Sequence, residues 1–250
     1  MQLIFNHHRL LLEADNRPAR VISSPDGWMF RPDTQNDEWG CMAVSDEEAE
    51  RLGRPDGRRW VELRECYGLL PEDVWKLAVK GAELIWWEQH SRFCPVCGTR
   101  MERASFISRR CPECGWESWP VMTPAVLVLV TKGDKALLVH AANFKRENMH
   151  GLVAGFVETG ESLEECVVRE VKEETSLEIE DVRYYGSQSW PFPSQLMIGF
   201  TARWKKGSIR FADKELTSGT FFPRDKLPEL PTLPSLARRM IDAWVNGEIE

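Results

Sequence analysis

Two short units, Cys94-Pro-Val-Cys97-Gly and Cys111-Pro-Glu-Cys114-Gly, repeat one pattern thirteen residues apart and constrain the fold more tightly than anything else in the chain. Each Cys-x-x-Cys turn aims two sulfurs inward, and the glycine after it lets the backbone turn its amides towards them. Four soft sulfur ligands complete a tetrahedral zinc site and leave no position for water, so such a zinc would be structural. Redox dithiols or plain buried cysteines are the bland reading, but they leave the matched knuckles unexplained. Cys41, Cys66 and Cys166 lack partners at ligand spacing and read as small core residues.

The surrounding composition is that of a soluble, reduced, globular chain: 250 residues, 42% hydrophobic, 28% charged, net charge −7. No apolar run approaches the ~18 residues of a membrane span and no secretory leader is visible, so a cytoplasmic protein without membrane contact is expected. The acidic balance gives no general reason to bind DNA. Between Ser91 and Arg110, five arginines (Arg92, Arg100, Arg103, Arg109, Arg110) oppose Glu102 alone, a local basic excess that suits polyphosphate or a merely solvated ribbon surface.

The periodicity divides the chain into an N-terminal α/β domain over 1–90, the ribbon over 91–120 and a larger domain over 121–250. In the first, short β-prone runs at Gln2 to Phe5, Arg20 to Ser23 and Trp60 to Leu63 alternate with turn formers such as Asp26-Gly27, and a helix is expected over Pro71 to Gln89. In the last, Pro124 to Val130 and Lys135 to His140 form a hairpin across Lys132-Gly133-Asp134. A short strand at Gly151 to Ala154, a helix over Leu163 to Thr175, strands near Val182 to Ser187, Leu196 to Trp204 and Thr220 to Phe222, and a final helix from Ser235 to Val245 follow. The order predicts a mixed sheet flanked by helices, an α/β (α+β) sandwich.

The chemistry concentrates in Gly155-Phe-Val-Glu-Thr-Gly-Glu161-Ser-Leu-Glu-Glu-Cys-Val-Val-Arg169-Glu170-Val-Lys-Glu173-Glu174-Thr-Ser-Leu177. Ser162 followed by Glu165 is a capping box that starts a helix there. Glu170, Glu173 and Glu174 then fall within about a third of its circumference, so three carboxylates converge. Like charges at this spacing repel, and a divalent cation would relieve them; carboxylate oxygen is the donor that Mg²⁺ or Mn²⁺ prefers. A glutamate-rich solvated face is the plain alternative.

The full spacing resembles the Nudix box, Gly-x5-Glu-x7-Arg-Glu-aliphatic-x-Glu-Glu-x-Gly-aliphatic, with Ser176 in place of its last glycine. A serine in the left-handed conformation that such a glycine adopts costs about 1 kcal/mol and removes no ligand. Further on, Ser187-Gln188-Ser189-Trp190-Pro191-Phe192-Pro193-Ser194-Gln195 resembles the SQPWPFPxS signature of the NADH pyrophosphatases, zinc-ribbon Nudix enzymes that also remove NAD caps from RNA. It departs at Ser189, for the first proline, and at Gln195, for the final serine. Its prolines stiffen a loop that can present Trp190 and Phe192 to a flat base.

The resemblance implies a Nudix α/β/α sandwich behind a zinc ribbon and a small mixed domain. It implies Mg²⁺ or Mn²⁺ held by Ala154 through its carbonyl, Glu170, Glu173, Glu174 and Glu215, the last from Asp213-Lys-Glu215. Water activation falls to Glu174, with Glu170 and Glu173 completing the cluster and Arg169 orienting it through the Glu173 side. Substrate contacts fall to Phe156, Gln188 to Gln195, Trp119 and Ala237, and a homodimer is implied in which Phe156 and the Trp190 of a second subunit enclose nicotinamide. The expected reaction is cleavage of NADH or NAD⁺ to nicotinamide mononucleotide and AMP, and of the same bond in NAD-capped RNA. The competing readings are a Nudix hydrolase of ADP-ribose or coenzyme A, and a zinc-ribbon RNA-binding protein whose hydrolase half is degenerate.

Overall fold

The computed structural model describes residues 1–20, 39–53, 57–211 and 215–249. The chain divides into two compact units, Met1–Met122 with Pro191–Ser194, and Thr123–Trp190 with Gln195–Glu250. The expected strand at Arg20 to Ser23 and the Asp26-Gly27 turn fall, apart from Arg20, outside the described residues.

In the first unit, β1 (Gln2–Asn6), β2 (Arg9–Leu12), β3 (Gly40–Ala43) and β4 (Arg59–Glu62) form a sheet in the order β3-β1-β2-β4, with α1 (Asp46–Gly53) between β3 and β4. β2, β3 and α1 have no counterpart in the sequence reading. α2 (Glu72–His90) begins one residue later than expected because Pro71 serves as its N-cap. Its Trp75, Ala78, Val79, Leu84 and Ile85 share one core with Leu3, Phe5, Leu10 and Leu12 of the sheet. Cys41 and Cys66 are buried there, as small apolar residues are.

The ribbon belongs to this unit and consists of β5 (Glu102–Ser105), β6 (Ser108–Arg110) and β7 (Glu117–Ser118). It is tied to α2 through Glu88, which is only 8% exposed. Arg109 donates to Glu88 from Nε at 3.3 Å and again from Nη2, Arg103 approaches at 3.0 Å, and Trp87 Nε1 donates to Ser118 Oγ at 3.1 Å. The basic excess read from the sequence is therefore partly spent internally: a buried carboxylate needs paired cations, and two of the five arginines supply them.

The second unit carries β8 (Thr123–Lys132), β9 (Lys135–Ala141), β10 (Val153–Phe156), α3 (Leu163–Thr175), β11 (Glu178–Trp190), β12 (Gln195–Lys206), β13 (Leu216–Pro223) and α4 (Leu236–Val245). Its sheet runs β11-β12-β8-β9-β13, with β10 paired to β8. The unbroken apolar run of β8 is explained by helices on both faces. Val126, Val128 and Val130 meet Cys166, Val167 and Val171 of α3, while Leu127 and Leu129 meet Met240, Ile241 and Trp244 of α4. Full burial of Val167 and Val171 stabilises α3 on the sheet by roughly 1.5–3 kcal/mol each.

β8 pairs with β9 only next to their turn, at Thr131↔Ala136 and Lys132↔Lys135. Along the rest of β8, β10 takes that place, running from Val153↔Val128 to Phe156↔Ala125. The register sets Gly155 opposite Val126, a residue whose side chain faces α3. No helix among the described residues is long and apolar enough to cross a membrane.

Candidate active site

α3 starts and stops where its own residues dictate. Ser162 Oγ accepts from Glu165 N at 3.2 Å, and Glu165 Oε2 accepts from Ser162 N at 2.7 Å, which closes the capping box. At the other end Ser176 adopts φ +62°, its N–H donating to Lys172 O and its hydroxyl to Arg210 O at 3.2 Å. Serine thus holds the left-handed position that glycine fills without strain.

Between these caps, Cys166, Val167 and Val171 face the sheet, and Glu170 and Glu174 are buried beside them, 9% and 4% exposed. Glu173 stands apart, its side chain 58% exposed. The three carboxylates expected to converge thus differ in exposure, two buried and one outward. Among the described residues, the four ribbon cysteines are the group of three or more potential ligands whose donor atoms all lie within 4.8 Å. The α3 glutamates do not close to that degree, and Arg169 pairs with two of them, Glu170 and Glu173.

Arg169 donates from Nε and Nη2 to Glu161 at 2.9 and 2.6 Å, and from Nη1 to Glu170 at 2.8 Å and Glu173 at 3.2 Å. Its Nη2 also reaches Phe156 O at 3.0 Å. The guanidinium is thus centred on Glu161 rather than on Glu173, and it fastens the glycine-bounded loop 155–160 to the helix. Glu161 also accepts from Glu158 N at 2.8 Å. Arg169 first, then that amide, draw the Glu161 carboxyl down to about 2.

Glu170 shows the opposite balance. Burial raises its pKa most, the Arg169 guanidinium opposes the rise, and the negative charges of Glu173 and Glu215 add to it. Glu215, exposed at the start of β13, therefore lies within electrostatic reach of Glu170, and its backbone carbonyl accepts from Ala142 N at 2.8 Å. Asp213 lies outside the described residues. Gly155 meets the same carboxylate from the strand: a Cβ there would stand 1.9 Å from the Glu170 carboxyl carbon, so only a residue without a side chain lets Glu170 lie on β10. Ala154 precedes it in the strand and is half-buried.

A hard divalent cation fits this set. The donors are carboxylates, Gly155 leaves the room that a Cβ would occupy, and a carboxyl crowded by two like charges is one that a cation would favour in its ionised form. Glu170, Glu174, Glu215 and the Ala154 carbonyl are the groups that would hold it, with Glu173 at the rim. The ribbon is the other fit. Cys94 and Cys111 are buried, Cys97 and Cys114 lie outward, and Gly98 and Gly115 both adopt φ +76° with their amides donating to Cys94 O and Cys111 O. Two identical turns bring four sulfurs within 4.8 Å of one another, a donor set that would suit a tetrahedral zinc.

The remaining expected contacts divide between the units. In the second, Phe156 is 51% exposed on β10, Ala237 is buried in the α4 core, and Gln188 Nε2 donates to Pro234 O at 2.9 Å. Gln188 Oε1 is buried without a donor. The signature is mostly strand rather than loop, since β11 runs through Ser189 and Trp190, and Gln195 already pairs with Trp190 as the first residue of β12. Only Pro191, Phe192, Pro193 and Ser194 form the turn, and these four belong to the first unit. There Phe192 packs against the sheet and α2 core, and buried Ser194 donates from Oγ to Val121 O at 3.0 Å. Trp119, 49% exposed, is also in the first unit. Sequence reasoning passed over two residues beside Phe192, His8 and Arg64, because neither belongs to a motif.

Residues 121–244 match the family model described as the NUDIX domain. The chain is 40% identical over 192 residues to the NAD-capped RNA hydrolase NudC of Pseudomonas aeruginosa, covering 76% of this chain and 68% of that protein. It belongs to the Nudix family, among the zinc-ribbon NADH pyrophosphatases and NAD-capped RNA hydrolases. Within that family, the enzymes named NAD-capped RNA hydrolase NudC from Stutzerimonas stutzeri and Pseudomonas entomophila are each 38% identical, covering 76% and 79% of this chain and 68% and 72% of theirs. The fold is shared with a Nudix hydrolase from Nitrosomonas europaea, at a TM-score of 0.52 and 22% identity over 61% of this chain and 90% of that one.

Proposed function

We propose that the protein is a metal-dependent Nudix pyrophosphohydrolase that cleaves the diphosphate of NADH or NAD⁺ to nicotinamide mononucleotide and AMP, and makes the same cut at NAD-capped RNA 5′ ends. The relatives' activity as NAD-capped RNA hydrolases supports the substrate class. The observation that carries the reaction class is the Glu170 carboxylate pressed onto Gly155 beside two further negative charges.

Mg²⁺ or Mn²⁺ held there by Glu170, Glu174, Glu215 and the Ala154 carbonyl would supply Lewis-acid polarisation of the phosphoryl oxygens and activation of water. The chain's own residues do the rest. Glu170 and Glu174 present oxygen donors from one buried side of α3, and Glu174 accepts the proton of the attacking water. Arg169 keeps the loop 155–160 closed on the helix, so that Phe156 stays on the rim with its ring available to stack on a base. Gln188 and Trp190, fixed as strand residues, offer a polar group and an aromatic face to the dinucleotide. The four cysteines hold a structural zinc, and a homodimer in which Phe156 and the Trp190 of the second subunit share the nicotinamide accords with the exposure of Phe156.

Initial rates on NADH, NAD-capped RNA, ADP-ribose and coenzyme A, each with Mg²⁺ and with Mn²⁺, test the assignment. The expected result is a kcat/KM for NADH at least about tenfold above that for ADP-ribose. A preference for ADP-ribose of that size would replace the dinucleotide assignment. Salt-dependent RNA binding with no turnover of any substrate would replace the enzyme.

A further inference from the structure

The turn that joins β11 to β12 is four residues long, Pro191 to Ser194, and its two prolines have no N–H to donate. Side chains hold it in place. The Arg64 guanidinium carbon lies 4.2 Å from the centroid of the Phe192 ring, well inside cation–π range, and the His8 ring is 5.5 Å from it at a tilt of 55°. Ser194 Oγ donates to Val121 O at 3.0 Å and is 7% exposed.

The first unit's sheet builds this holder from distant parts of the sequence. β2 and β4 pair antiparallel with Arg9 opposite Glu62, and Leu63 N donates to His8 O at 2.8 Å. His8, in the β1–β2 turn, and Arg64, just past β4, are thereby brought together at one end of the sheet. Burial draws the Arg64 pKa down from its ordinary value. A guanidinium partly removed from water gains more from an aromatic face than an exposed one does.

From this geometry we infer that Arg64 and His8 are positioning residues that anchor the tip of the β11–β12 hairpin through Phe192. They fix the strand ends Gln188 to Trp190 and Gln195 in one conformation before the dinucleotide arrives. Phe192 is the anchor in this arrangement, and Trp190, the last residue of β11, is the ring assigned to the substrate. Arg64 and His8 act only through Phe192, since a preordered segment has less freedom to lose on binding. The inference rests on reading residues 188–195 as the dinucleotide-binding segment.

The test uses the full chain with Arg64→Met, which keeps the apolar stem and removes the cation, together with Arg64→Lys, Phe192→Leu and the Arg64→Met/Phe192→Leu double variant. Hydrogen exchange reads the anchor directly. In Arg64→Met the Phe192 and Ser194 amides are expected to exchange about tenfold faster while α3 is unchanged. Steady-state kinetics read its consequence: KM for NADH rises about tenfold with kcat within about twofold, Arg64→Lys recovers most of the loss, and the double variant is no worse than either single one. Unchanged exchange at the tip, or unchanged KM, overturns the inference. So do KM penalties that add in the double variant, which would mean that Arg64 acts on substrate directly, and a fall in kcat accompanied by faster exchange in α3, which would mean a general structural role. If the wild type turns over no dinucleotide, the proposed function falls, and the positioning role with it; the exchange result then still states whether Arg64 holds the tip.

Discussion

In the ribbon, four sulfurs lie within 4.8 Å of one another, brought there by two turns of one shape. On α3, the carboxylates are distributed over the helix and the start of β13, and Arg169 stands between three of them. A structural metal site repays complete preorganisation, because its ligands have only one task. A site that must admit a diphosphate, cations and water together cannot be closed beforehand, and a built-in cation such as Arg169 keeps the acidic groups in place meanwhile. Exposure does not separate the two: each has two buried groups, Cys94 and Cys111 or Glu170 and Glu174, and two outward ones, Cys97 and Cys114 or Glu173 and Glu215, so the difference lies in how closely the donors gather.

The sharpest way to break this contrast is to take away the zinc proposed for the ribbon. Structural zinc in small domains is worth apparent free energies of about 10 kcal/mol or more, so chelation or Cys111→Ser should abolish exchange protection over residues 94–114 and leave α3 protected. Metal analysis should find one zinc per chain, lost in Cys111→Ser. A ribbon that stays protected after zinc is removed would erase the distinction between the two sites.

Gly155→Ala probes the open site without touching a ligand. The new Cβ must push the Glu170 carboxylate aside, and since that is the far end of a flexible side chain, the fold should lose under about 1 kcal/mol while kcat falls about 100-fold. Thermal unfolding and NADH kinetics on the same preparation separate the two effects. Equal losses of stability and activity would show that Gly155 serves packing alone.

The Arg169 pairs give a pH signature. Glu161 has an ordinary value of 4.5 and is held down to about 2, so its pairing stabilises the folded state above pH 4.5 and that contribution fades as pH falls to about 2. The Tm difference between wild type and Glu161→Gln should accordingly be widest above pH 4.5 and close towards pH 2. A difference independent of pH would assign the loss to packing. The smallest effect is expected at Ser176→Gly, which relieves the left-handed serine and loses its exposed bond to Arg210 O. The net result should be a gain of at most about 1 kcal/mol in denaturant unfolding, with kcat unchanged.

The bounds of α3 were legible to the residue, because both of its ends are set locally by Ser162, Glu165 and the Ser176 stop. The hairpin from Thr123 to Ala141 was legible for a similar reason, its turn residues lying between two apolar runs. Local reasoning failed where distant pairing decides. The signature Ser187 to Trp190 reads as a proline-stiffened loop, yet pairing with β12 makes it strand, and Phe192 reads as a face for a base, yet it packs beside His8 and Arg64. Glu215 could be named only through family resemblance, since nothing in its own neighbourhood marks it; its charge reaches Glu170 through the fold. The helical spacing put Glu173 with Glu170 and Glu174, and the resemblance put Arg169 on the Glu173 side, but neither showed that Glu161 would take two of the guanidinium's nitrogens.

Whether α3 glutamates and divalent cations split a dinucleotide at its diphosphate is tested most directly by product analysis of NADH incubated with Mg²⁺ or Mn²⁺, for wild type and Glu174→Gln side by side. The account predicts equimolar reduced nicotinamide mononucleotide and AMP from the wild type, none without added cation, and a rate lower by about 1000-fold in the variant. Equal rates for the two proteins, or equal rates with and without the cation, would contradict it.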